Sequence, residues 1–205
     1  MKKILTLLIV ILTVQLTYAQ DPQNYILIIN GDSIPIGLNK EYAHKINNQD
    51  LSLKLVQPRN LLFSNDVLSF KYPNDLSVST TSVEVGIEQI MVMTATGCGV
   101  MVQTYDGFNP EGLTQLMMSE LTKESVSYGY TKNEENIQFN AASGELLKGL
   151  KSTLEYKGEK EVYTVTAHGG KDEGVMLITI MQGDDPEGEE MINLFVNSFS
   201  LKYNN

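Results

Sequence analysis

The stretch that decides the fold is GLKSTLEYKGEKEVYTVTAHGGKDEGVMLITIMQGDDPEGEE, residues 149–190. Leu150–Tyr156 alternates apolar and polar residues, the two-residue period of a half-buried strand. Lys157-Gly158-Glu159-Lys160 is a hairpin turn, and EVYTVTAHGG follows with Val162, Thr164, Thr166 and His168 on one face and Tyr163, Val165 and Ala167 on the other. Gly169-Gly170-Lys171-Asp172 turns the chain into VMLITIMQG. That run reads as a further strand. Asp185 then fits an N-cap and Pro186 the first helical position. Met191, Ile192, Leu194 and Phe195 supply the apolar side of the helix, and FSLKY (Phe199–Tyr203) ends the run as a short strand.

The same signals recur upstream. VLSFKYPNDLSVST predicts a strand at Val67–Tyr72, a turn at Pro73-Asn74-Asp75 and a strand at Leu76–Thr80. Ile87–Ala95 and Gly99–Tyr105 flank Gly97-Cys98-Gly99 as a hairpin. Asn109 is an N-cap, with Pro110 and Glu111 behind it, for a helix over 110–124. Its stripe is Leu113, Leu116, Met117 and Leu121, and Gln115, Ser119 and Lys123 form its polar face. Strands joined by short hairpins, with two amphipathic helices needing a sheet face, predict an α+β fold: a central, largely antiparallel sheet flanked by helices.

Residues 61–205 form this main domain. Residues 20–60 form a small β-rich extension: strands at Tyr25–Gly31, Ile34–Leu38 and Leu51–Val56, with NKEYAHKIN read as a polar loop around His44. Residues 1–19 have the form of a secretion signal. Lys2 and Lys3 precede an apolar run, Ile4–Val14, and Thr17 and Ala19 stand at −3 and −1 of a cut before Gln20. The run is shorter than the ~20 residues of a spanning helix. The expected location is therefore periplasmic or extracellular, with no membrane span in the mature chain.

The composition excludes several function classes. Loss of Lys2 and Lys3 would take the net charge from −10 to −12, which argues against nucleic acid and anionic lipid as partners. Arg59 is the one arginine, and the chain holds one cysteine and two histidines, so arginine phosphate clamps, intrachain disulfides and most zinc sites are out. No nucleophile elbow, phosphate loop or HExxH motif occurs. No catalytic residue, cofactor-binding residue or cofactor is assigned.

The marks LSFKYPNDLSV, the hairpin before the helix at 110–124, LEYKGEKEVYTVT and the closing NSFSL resemble the Mog1/PsbP-like fold family, including DcrB-like secreted proteins. The resemblance covers residues 61–205, and the extension resembles leaders of exported Bacteroidetes-type proteins. It implies a sheet between helices and mostly non-enzymatic binding or accessory roles. PsbP-like proteins of photosystems help retain calcium and chloride, but no position here matches a shared ligand set.

Asp184, Asp185 and Glu187, with Glu189 and Glu190, are weak calcium candidates; the competing reading is an acidic first helical turn set against the helix dipole. Tyr128 and Tyr130 alternate in SVSYGYT. Exposed, they would be an amphipathic platform for a partner or a glycan; beneath a helix, they would be core. Cys98 reads as a small buried hydrophobe, with a nucleophile or an intermolecular disulfide as the sharper alternatives. The expected function is an exported, non-catalytic binding or accessory protein whose partner is another exported protein. The alternatives are a small hydrolase assembled from Ser143, His168 and Asp172, and an acidic chaperone or immunity protein for a basic toxin.

Overall fold

The computed structural model describes residues 25–46 and 48–202. The expected signal at 1–19 and its cut lie outside the described residues. No helix among the described residues is long and apolar enough to cross a membrane. The chain divides into two compact units, one ending at Gln57 and one starting at Pro58.

The first unit is two hairpins. Strands β1 (Tyr25–Ile29) and β2 (Asp32–Ile36) pair antiparallel. Asn30 and Gly31 both take positive φ, 51° and 93°, which is the tight turn that Asn-Gly favours. Strands β3 (Glu41–Ile46) and β4 (Gln49–Lys54) form the second hairpin. The expected loop around His44 is corrected here: His44 lies in β3 opposite Leu51. Backbone pairing, which leaves no side-chain signature, makes that polar segment a strand.

The second unit runs β5 (Asn60–Ser64), β6 (Leu68–Pro73), β7 (Ser79–Glu84), β8 (Ile87–Met93) and β9 (Gly99–Asp106). A single 3-10 turn, Pro110–Leu113, leads into helix α1 (Thr114–Tyr128). Strands β10 (Thr131–Asn140), β11 (Leu146–Tyr156), β12 (Glu159–Gly169) and β13 (Glu173–Gln182) follow, then helix α2 (Pro186–Ser198) and strand β14 (Ser200–Leu201). One seven-stranded sheet has the order β10-β11-β12-β13-β9-β8-β7, and a small sheet has the order β14-β6-β5. Every pairing in both sheets is antiparallel. The α+β architecture expected from the sequence is the one observed.

The two faces of the large sheet carry separate cores. On one, Ile90, Val92, Val100, Val102, Val175 and Leu177 pack under α2 and the small sheet. Phe70 of β6 meets Phe195 of α2 at 4.2 Å between ring centroids. On the other face, Leu154, Tyr163, Val165, Ala167, Met176 and Ile178 pack under α1. The apolar run of β13 is thereby explained, since Val175 and Leu177 serve one core and Met176 and Ile178 the other.

Asp185 caps α2 as expected, whereas Asn109 caps the 3-10 turn, and α1 itself begins four residues later than expected, after Leu113, with no side-chain cap. The Asn109 side chain accepts from the Glu111 N–H at 2.9 Å. The Asp185 carboxylate accepts from the Glu187 and Gly188 N–H groups at 3.1 and 3.0 Å. The stripe expected on α1 needs one correction. Leu116 is 60% exposed, whereas Met118 and Thr122 are buried. Thr122 is tolerated there because its hydroxyl donates to the Met118 carbonyl one turn back, at 2.8 Å. The strand expected at 76–80 lies at 79–84. Strands β5 and β10 answer to no expected strand.

Candidate functional site

The surface feature richest in chemistry gathers where α1 ends. Gly129 takes φ 118°, in the left-handed region that a helix stop needs and that glycine enters at no steric cost. Its N–H and that of Tyr130 both return to the Ser125 carbonyl. The reversal brings Tyr128 and Tyr130 to 6.2 Å between ring centroids. Strand alternation was the expected means of pairing these rings; the helix C-terminus is the actual one.

A third ring, missed in the sequence, completes the cluster. Tyr156, at the end of β11, stands 5.3 Å from both Tyr128 and Tyr130. Its place follows from the register of β10 on β11, which sets Thr131 opposite Glu155 and so puts Tyr130 beside Tyr156. Lys157 holds its ammonium 4.8 Å above the Tyr156 ring, a cation–π contact. The Tyr130 hydroxyl donates to Glu159 at 2.8 Å. The carboxylate acceptor favours the protonated phenol and pushes its pKa up to about 12. Tyr128 is 69% exposed, so the core reading does not hold for it.

The turn between β8 and β9 meets the start of α2. Cys98 is fully buried. Its Sγ accepts from the Gln182 N–H at 3.3 Å. Burial pushes the thiol pKa up, and the Asp185 carboxylate adds to the effect. A raised pKa in a closed site is the opposite of what a thiol nucleophile needs, and the small buried hydrophobe is the reading that fits. The Thr96 hydroxyl donates to Asp185 Oδ2. That bond, with the two backbone donors of the cap, holds the Asp185 carboxyl below the usual range. Asp184 and Glu187 lie exposed beside it. Among the described residues, no three His, Cys, Asp or Glu side chains converge closely enough to hold a metal ion.

The residues of the hydrolase alternative have structural uses. The Ser143 hydroxyl accepts from the Leu201 N–H at 2.7 Å and so anchors β14. His168 Nδ1 lies 3.2 Å from the Leu146 carbonyl. The Asp172 carbonyl accepts from the Gly107 N–H.

One groove of about 570 Å³ opens on the face that α2 covers elsewhere. Asp66, Glu84, Glu88, Asp106 and Glu173 line it, together with Ser82 and Lys202. The Lys202 ammonium donates to Ser64 Oγ and to the Asn65 carbonyl.

No protein-family model matches the chain, and no curated protein matches it. Among solved structures, the chain is similar to cyanobacterial PsbP (CyanoP) from Synechocystis, with 11% identity, 70% of this chain and 92% of that one covered, and a TM-score of 0.44. It is also similar to a protein from Bacteroides thetaiotaomicron, with 7% identity, 66% of this chain and 45% of that one covered, and a TM-score of 0.32.

Proposed function

We propose that this protein is exported and acts without catalysis, as a binding or accessory protein for another exported protein. The observation that carries the reading is the tyrosine cluster of Tyr128, Tyr130 and Tyr156. Tyrosine gives large contact area with few torsions to freeze, and it is enriched where interfaces concentrate their energy. Tyr128 leaves most of its ring in water, a cost that contact with a partner would relieve. The Lys157 ammonium and the Glu159 carboxylate at the rim add polar groups that fix orientation. The leader-like residues 1–19 supply the argument for export.

The test is capture from the periplasm and the culture medium with two baits, the wild-type protein and Tyr128→Ala. The substitution removes an exposed ring and leaves both cores intact. A specific partner held by the wild type and lost with Tyr128→Ala is the expected result. Equal recovery by the two baits would overturn the reading. Detection of the chain in the cytoplasm with its leader intact would overturn the export.

A further inference from the structure

The two edges of the seven-stranded sheet differ in how they are protected. Edge strands expose unpaired backbone groups that template the addition of another strand, and proteins blunt them with charge. The β10 edge carries Lys132, Glu134 and Glu135. Lys132 pairs with Glu134 at 2.7 Å and Glu135 with Lys151 at 3.1 Å. The β7 edge reads Ser79, Thr80, Thr81, Ser82, Val83, with no charge before Glu84, and every residue of it is exposed.

The acidic groove opens beside that edge, which carries no charge up to a shift in its register between Ser82 and Glu84. Ser82 and Glu84 of β7 form one of its walls. Strand register carries the same face inward, with Ser82 opposite Glu88, Glu88 opposite Thr104 and Thr104 opposite Val175. A residue added opposite Ser82 would stand roughly 5 Å from it. A lysine or arginine there would lay its head group among the groove carboxylates. The groove's own cation, Lys202, is already bound to Ser64 and Asn65.

We propose that the outer edge of β7 and this groove form a docking site for an extended, basic peptide segment of a partner protein, which adds to the sheet as an eighth strand. Main-chain hydrogen bonds supply the pairing, and alternate cationic side chains supply the selectivity. A second copy of this chain fits poorly. Its β7 brings no cation to the groove, and each copy carries a net charge of −10. The site shares with the proposed function only the idea of a protein partner. It uses none of the tyrosine residues, so either reading can fail alone.

The experiment is a fluorescence-polarisation titration of the protein with three short labelled peptides. One alternates lysine with threonine and valine, one has glutamate in place of lysine, and one is the lysine peptide with a central proline. The lysine peptide should bind and the glutamate peptide should not. The proline peptide, which lacks a ladder N–H, should bind on the order of tenfold more weakly. The Glu88→Gln, Glu173→Gln double variant should lose about tenfold for the lysine peptide with its melting temperature unchanged. Equal binding of the proline peptide would reduce the effect to bulk charge attraction and overturn the proposal. Absence of binding at millimolar peptide would overturn it too, as would a dimer in light scattering that closes the β7 edge.

Discussion

Gly188 lets the first turn of α2 rest directly on Cys98. A Cβ at residue 188 would stand 2.6 Å from the Cys98 Cβ and 3.0 Å from its Sγ, and 2.8 Å from Asp185 Oδ2. Glycine inside a helix ordinarily costs about 1 kcal/mol relative to alanine. Here that cost secures the close approach of α2 to the β8–β9 turn. Gly188→Ala should therefore destabilise the protein by about 1–3 kcal/mol, the range for overpacking a filled site. Urea unfolding checks this, and a stabilised variant would contradict the crowding.

The same closeness governs the thiol. With Cys98 buried and its pKa raised, a thiol reagent such as Ellman's should leave the native protein unlabelled. It should then react with one equivalent once guanidinium unfolds the chain. Rapid labelling of the native state would show that the site opens.

Helix α1 offers a paired test of its orientation. Met118→Ala should cost about 2–5 kcal/mol, because it empties a fully buried position. Leu116→Ala should change stability by no more than about 0.5 kcal/mol, as at other exposed sites. Chemical denaturation of the two variants side by side gives the comparison.

The Tyr130–Glu159 hydrogen bond should be visible in an alkaline titration. The folded pKa of Tyr130, about 12, lies above the ordinary tyrosine value near 10. Its contribution to stability is therefore complete below about pH 10 and is lost as pH rises toward 12. Absorbance of the phenolate should show Tyr130 titrating late, alongside Tyr105 and Tyr163, which burial also pushes up, and Glu159→Gln should move only the Tyr130 step back toward 10.

Asp185 should act at the acid end. Its carboxyl is held low, first by the Thr96 hydroxyl and then by the Gly188 N–H. The stabilisation is present above the unfolded pKa near 3.9 and fades as pH falls through the lower folded value. Melting temperature followed from pH 7 down to pH 2 should drop less steeply in Asp185→Asn, and Thr96→Val should reproduce part of that change.

Much of this fold is written in local chemistry. The Asn30-Gly31 and Lys157-Gly158 turns put positive φ where Asn, Lys and Gly stand. The caps at Asn109 and Asp185 are side-chain bonds that the residue types announce. Of the strands that escaped notice, β3 and β10 hold much of their length through backbone pairing and expose polar side chains, while β5 is a five-residue strand, Asn60–Ser64, that leaves Leu62 exposed. The orientation of α1 was obscured by Thr122, whose polarity is hidden by its bond to Met118. Tyr156 lies far along the chain from Tyr128, and only the register of β10 on β11 unites them.

The junction of β9 with β13 has a kinetic consequence. Each of β7–β8–β9 and β10–β11–β12–β13 closes through neighbouring hairpins, which are local and fast to form. The seam between them pairs Val102 with Leu177 across a long stretch of chain. Such distant pairing carries the loop-closure entropy that slows folding. Helix α2 contacts β9 and β13 together, and β6 besides, so it works as a clasp across that seam. Hydrogen exchange should then find the seam amides and α2 opening as one cooperative block, while the four-strand meander keeps its protons longer.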